Sequence, residues 1–125
     1  MNRRKAVAIV ASLGHDDAPR PDVVLVPGGA AAGLLDGYRA TSNKRAFTWA
    51  SSFGTNVTWV AKARWVKDRN RWTSAGVAAG MDMTLALVRS LFGDAVADDL
   101  AERAELEFHR DASWDPFAER SGVRD

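Results

Sequence analysis

Val23-Val24-Leu25-Val26-Pro27-Gly28-Gly29 is the stretch on which the fold class turns. Four apolar residues in a row, closed by proline and two glycines, suit a strand buried on both faces of a parallel sheet. Upstream, Ala6-Val7-Ala8-Ile9-Val10-Ala11 follows the basic opening Met1-Asn2-Arg3-Arg4-Lys5. This resembles a secretory signal in outline, but the run is short and lacks a clear cleavage site, so a buried strand over residues 7–10 is the better reading. Pro19 and Pro21 lie in the polar loop that joins the two runs.

Downstream, residues 30–35 read as a short helix stopped by Asp36-Gly37, and residues 38–42 as a short strand. Asn43 caps a helix over residues 44–52. Over residues 57–66 the pattern alternates, with Val57, Trp59, Ala61, Ala63 and Trp65 on one face and Thr58, Lys62 and Arg64 on the other. After a turn at residues 67–70, Arg71-Trp72-Thr73-Ser74 returns as the second strand of a hairpin. Val77, Met81, Leu85, Val88 and Phe92 form one helical stripe, which predicts a helix over residues 76–92 with Met81 buried against Trp59 and Trp65. A second helix is expected over residues 94–107 with Val96, Leu100 and Ala104 together, and Trp114 and Phe117 are expected to pin the tail. Strands alternating with helices indicate an α/β sheet with helices on its faces.

The chain has 125 residues, the size of one domain over residues 1–125. Its hydrophobic share of 46% and charged share of 26% are those of a globular protein, which argues against wholesale disorder. A net charge of +1 supplies no global field toward nucleic acid or an anionic membrane. No stretch approaches the roughly 18 apolar residues of a membrane span. The chain has no cysteine, so disulfides, thiolate metal sites and thiol nucleophiles are all excluded. No spacing of His, Asp and Glu suggests a metal site, and no cofactor is implied.

Residues 17–29, the segment Gly33-Leu34-Leu35-Asp36-Gly37-Tyr38-Arg39-Ala40-Thr41, and above all Arg64-Trp65-Val66-Lys67-Asp68 leading to Trp72-Thr73-Ser74-Ala75-Gly76-Val77-Ala78-Ala79-Gly80-Met81-Asp82-Met83, resemble the DJ-1/PfpI superfamily. The similarity spans residues 17–117 and is nearest to the isonitrile-hydratase-like and amidotransferase-like branch. It implies a flavodoxin-like or Rossmann-like three-layer sandwich, here truncated and bearing a β-hairpin. It also implies cysteine-dependent chemistry at a turn between Gly29 and Ala30, where this sequence has no such segment. The expectation is therefore a non-catalytic, cytoplasmic remnant that binds or dimerises, with a hydratase-like or amidase-like enzyme as the alternative. A third reading is an incomplete product of a longer gene.

The remaining candidates each have a plain structural use. Gly28 and Gly29 can present N–H groups to a ligand, or simply make a tight strand-to-helix turn. Ser74 can contact a small-molecule ligand, or cap the following helix. Serine needs a base to become a nucleophile, and the two histidines, His15 in a loop and His109 in the tail, are not placed for it. No catalytic residue is assigned. Asp82 suits the first turn of a helix, and Gly76 with Gly80 suits a close approach of that helix to the sheet. Trp59, Trp65 and Trp72 with Lys62, Arg64, Lys67, Arg69 and Arg71 can stack bases, but an amphipathic hairpin with inward tryptophans gives the same sequence. The partners expected are a second copy of the chain and a small molecule, not nucleic acid or membrane.

Overall fold

A computed structural model describes residues 33–124. The expected strands over residues 7–10 and 23–26, and the site residues Gly28 and Gly29, lie outside the described residues. Within them the architecture is mixed α/β, built from two small sheets and several helices.

The first sheet is a parallel pair, β1 (Arg39–Ala40) and β2 (Thr58–Trp59), with Arg39 opposite Thr58 and Ala40 opposite Trp59. Parallel strands need a crossover connection, and here it carries a 3₁₀ turn (Lys44–Ala46) and α1 (Phe47–Ala50). Asn43 caps that turn as expected, accepting the Arg45 N–H at 3.0 Å. The crossover returns through Gly54, which adopts φ +82°. A Cβ there would sit 2.9 Å from the Val57 side chain, so the turn requires glycine. Residues 33–37 form turns rather than the end of a helix.

The second sheet is the hairpin β3 (Trp65–Asp68) and β4 (Arg71–Ser74), in the register Asp68 opposite Arg71 through Trp65 opposite Ser74. The single strand expected over residues 57–66 is thus two strands belonging to different sheets, with residues 60–64 crossing between them. Of its expected inward face, Ala61, Ala63 and Trp65 are buried, while Val57 and Trp59 are only half-buried. Arg64, expected outside, is buried too. Side chains tie β1 to the hairpin. Asp68 accepts the Arg39 N–H at 2.8 Å and Thr73 accepts the Thr41 N–H at 2.9 Å. At the turn, Tyr38 lies under the guanidinium groups of Arg69 and Arg71, 3.7 and 4.9 Å from its ring centre.

α2 (Val77–Phe92) packs on the hairpin, and Gly93, with φ +91°, separates it from α3 (Asp94–Arg103). The helices form where expected but are rotated from their apolar stripes. α2 buries Ala79, Asp82 and Leu85, while Val77 is 89% exposed and Met81 48%. α3 buries Ala97 and Ala101 and leaves Val96 and Leu100 outside. The cause lies at Asp82, whose carboxylate forms an ion pair with Arg64 Nε and accepts the His109 N–H at 3.2 Å. Aiming position 82 at the hairpin turns position 81 away from it, because neighbouring helical residues lie about 100° apart. Arg89 then joins the two helices through Asp94 at 2.6 Å and Asp98 at 3.0 Å.

The tail is held by small and charged groups, not by Trp114 and Phe117, which are 40% and 49% exposed. The Ala112 carbonyl accepts the Arg64 N–H at 2.7 Å. Asp115 caps α4 (Pro116–Arg120), and its other oxygen lies 3.1 Å from Lys44 Nζ in a second buried ion pair. Lys44 also donates to Thr41 Oγ1 at 2.9 Å, and that hydroxyl donates to the Val60 carbonyl.

Breaking a buried pair by removing one partner leaves a buried charge uncompensated. Asp82→Ala is expected to lose about 3–5 kcal/mol of stability in denaturant unfolding, and the joint replacement Arg64→Met with Asp82→Leu to lose much less. Equal losses in the two would show that the charge of Arg64 is not the source of the cost. At the hairpin turn, the Arg39 N–H and then the Arg69 guanidinium hold the Asp68 carboxyl below its ordinary value of 3.8. A folded value below the unfolded one gives stability that is present above pH 3.8 and lost as pH falls through the folded value. Asp68→Asn should therefore be less stable than the parent at neutral pH, with the difference shrinking below pH 3.8. Unfolding curves across that range test it, and a difference independent of pH would refute it.

Candidate functional site

Ser74, the one described member of the expected ligand site, ends β4 and is half-buried. It does not cap α2. Its hydroxyl donates to the Gly76 carbonyl at 3.5 Å, and the first turn of α2 has no side-chain acceptor. Asn43 Nδ2 lies close by, 3.5 Å from where a Cβ on Gly76 would fall. A Cβ on Gly80 would meet Ser74 Oγ at 3.5 Å, an ordinary contact, so the expected need for glycine at position 80 is not borne out. Among the described residues, no side chain takes the N–H groups of this helix start, which lies beside a hydroxyl and an amide.

An open cleft of about 330 Å³ lies along the other side of the hairpin, lined by Arg39 of β1, Val60, Lys62 and Ala63 of the crossing segment, β3 from Trp65 to Lys67, and Ala112 with Ser113. Its position follows from the edge of β3 that β4 leaves unpaired. The Trp65 N–H points off that edge toward the Ala112 carbonyl, 3.4 Å away. Alternation in an antiparallel ladder turns the Lys67 N–H to the same edge. Arg39 and Lys62, from two segments, thus meet the edge of β3 at Lys67 around Val60, Ala63 and Val66. Lys62 was legible as part of the outer face of an amphipathic strand, whereas Lys67, expected in the turn, lies within β3, and Arg39 arrives only through tertiary structure.

The acidic groups nearby are already engaged. Asp68 binds the Arg39 N–H and Arg69. Asp111, beside the wall, accepts both the hydroxyl and the N–H of Ser113 at 2.6 and 2.8 Å, and these bonds hold its carboxyl below the usual range. Behind the wall, Trp114 stacks on His109 at 3.8 Å, with the Arg64 guanidinium 5.0 Å from its ring centre. His109 is thus a stacking partner of Trp114.

The hairpin tryptophans do not form a base-stacking platform. Trp65 is buried, Trp59 packs edge-on against Phe47, and Trp72 is half-buried beside Lys67. Among the described residues, no group of His, Cys, Asp and Glu is arranged to hold a metal ion, and no helix is long and apolar enough to cross a membrane.

No family model matches the chain. No curated protein matches it either. Among solved structures, the chain is similar to the crystal structure of an AraC family transcriptional regulator from Pseudomonas putida, with 28% identity and a TM-score of 0.50. The match covers 58% of this chain and 38% of the regulator, so the chain spans well under half of that protein. This finding overturns the resemblance to the DJ-1/PfpI superfamily and to its isonitrile-hydratase-like and amidotransferase-like branch. It equally overturns the reading of the chain as a cysteine-less remnant of that superfamily or a hydratase-like enzyme. The stretch from Trp72 to Met83, which with Arg64 to Asp68 carried the resemblance, makes a strand-to-helix junction and supplies Asp82 to Arg64. One solved structure that the chain is similar to is thus a transcriptional regulator.

Proposed function

We propose that this chain is a small-molecule-sensing part of an AraC-type transcriptional regulator. The observation that carries the reading is the similarity to the Pseudomonas putida regulator, at 28% identity over 58% of the chain. The charge of the helices supports assigning sensing, not DNA contact, to this part. α3 carries Asp94, Asp98, Asp99 and Glu102 on its exposed surface, and Arg89 of α2 is committed to Asp94 and Asp98. A helix that enters a DNA groove presents a basic face to the phosphates, and neither long helix has one.

Several finer statements belong to the same reading. The parallel β1–β2 pair with its helical crossover is a unit from which flavodoxin-like three-layer sandwiches are built, and it supports such an arrangement for a single domain over residues 1–125. Val77, Met81, Leu91 and Phe92 of α2, with Val96 and Leu100 of α3, are exposed, which favours association with a second copy. Ser74, beside the uncapped start of α2, is a candidate ligand contact. A cytoplasmic location is part of the same reading.

Thermal unfolding of the purified chain across a panel of small metabolites tests the proposal, together with gel retardation on random duplex DNA at physiological salt. At least one metabolite class is expected to raise Tm, with no retardation of DNA. A chain that ignores every metabolite and retards DNA would overturn it.

A further inference from the structure

From the cleft beside β3, we infer a binding site for small organic anions, in which Arg39, Lys62 and the edge N–H of Lys67 hold a carboxylate or phosphate head. The inference gives a seat and a charge to the ligand of the regulatory reading, but binding alone tests it.

Gathering cations around one concavity costs mutual repulsion, and a fold that does so without a facing acid has left that charge for something else to neutralise. Among the described residues, no acidic side chain lies within ion-pair distance of the Arg39 guanidinium or the Lys62 ammonium. Asp68 accepts the Arg39 N–H, is paired with Arg69, and feels the charge of Arg39 only as the last of the causes that hold its carboxyl down. The Lys67 ammonium is turned toward Ser90 Oγ at 3.4 Å and the Trp72 ring at 5.0 Å, so its contribution to the cleft is chiefly its N–H. Asp111 is hydrogen-bonded to Ser113 of the cleft wall and forms no ion pair with Arg39 or Lys62.

The three donors are of different kinds. Arg39 offers a planar fork that matches a carboxylate or phosphate with two parallel hydrogen bonds, Lys62 a mobile point charge, and Lys67 a donor fixed by the strand. An isolated cation on a surface has no such company. The floor of Val60, Ala63 and Val66 suits a short hydrocarbon or aromatic body, and 330 Å³ lies at the small end of ligand sites. A compact aromatic or aliphatic acid fits both requirements, whereas a neutral molecule of the same shape leaves the cations unpaired.

Calorimetric titration of the full chain with benzoate and phenyl phosphate, against the neutral benzamide and benzyl alcohol, tests the inference. The anions are expected to bind, with affinity that falls as sodium chloride is raised, and the neutral compounds to bind at least about tenfold more weakly. The joint variant Arg39→Ala with Lys62→Ala alters two exposed side chains, so it should keep the parent circular dichroism while losing about tenfold or more in anion affinity. Neutral compounds that bind as well as the anions, a folded variant that binds as tightly as the parent, or no anion binding up to about 10 mM would each overturn it. If the metabolite panel yields only neutral ligands, this inference fails while the regulatory reading stands. If the anions bind but the chain itself retards DNA, the reverse holds.

Discussion

The ion pair between Arg64 and Asp82 is the constraint from which the packing of the described residues follows. Both side chains are almost wholly removed from water, at 8% and 4% exposure, so each depends on the other to offset the cost of its desolvation. Satisfying Arg64 fixes the rotation of α2, because Asp82 must face the hairpin. The same carboxylate accepts the His109 N–H, and the Arg64 N–H binds Ala112, so the tail is drawn to the same point. One buried charge thus orients a helix, a strand and a returning segment.

That constraint explains which parts of the sequence were legible. Elements could be read from periodicity and punctuation: Asn43 as a cap, the hairpin around Arg69 and Asn70, and Gly93 as a break between two helices. The faces of the helices could not. Of the expected stripe only Leu85 is fully buried, while Val77, Met81 and Phe92 are exposed and Ala79 and Asp82 take their place, because a charge that must be paired outweighs a methionine that need not be buried. Arg64 broke the alternation of its strand for the same reason, and nothing local in the sequence signals a partner 18 residues away. The site was less legible still. Ser74 stands at a strand-to-helix junction as expected, but Arg39 reaches Lys62 and Lys67 only through the parallel pairing of β1 with β2 and the side-chain ties from Asp68 and Thr73. The resemblance misled because glycine and alanine around a helix start are demanded by many junctions of this shape, so a short match there constrains geometry more than ancestry.

The cleft and the buried pair are not independent. Ala112 forms part of the cleft wall and is hydrogen-bonded to Arg64, the residue that positions α2. A group pressing on that wall acts one bond away from the pair that sets the helix rotation. Such an arrangement suits a sensing element, in which occupancy at one face must be felt at another.

Eight of the twelve buried apolar residues among those described are alanines. Alanine contributes one methyl group where leucine would contribute a branched chain, so unfolding uncovers comparatively little hydrocarbon. The heat-capacity increment and the denaturant slope both scale with the surface uncovered. From the described residues, a shallow dependence of stability on temperature and a broad unfolding transition are therefore expected, with greater resistance to cooling than in a domain of equal length with a leucine-filled interior.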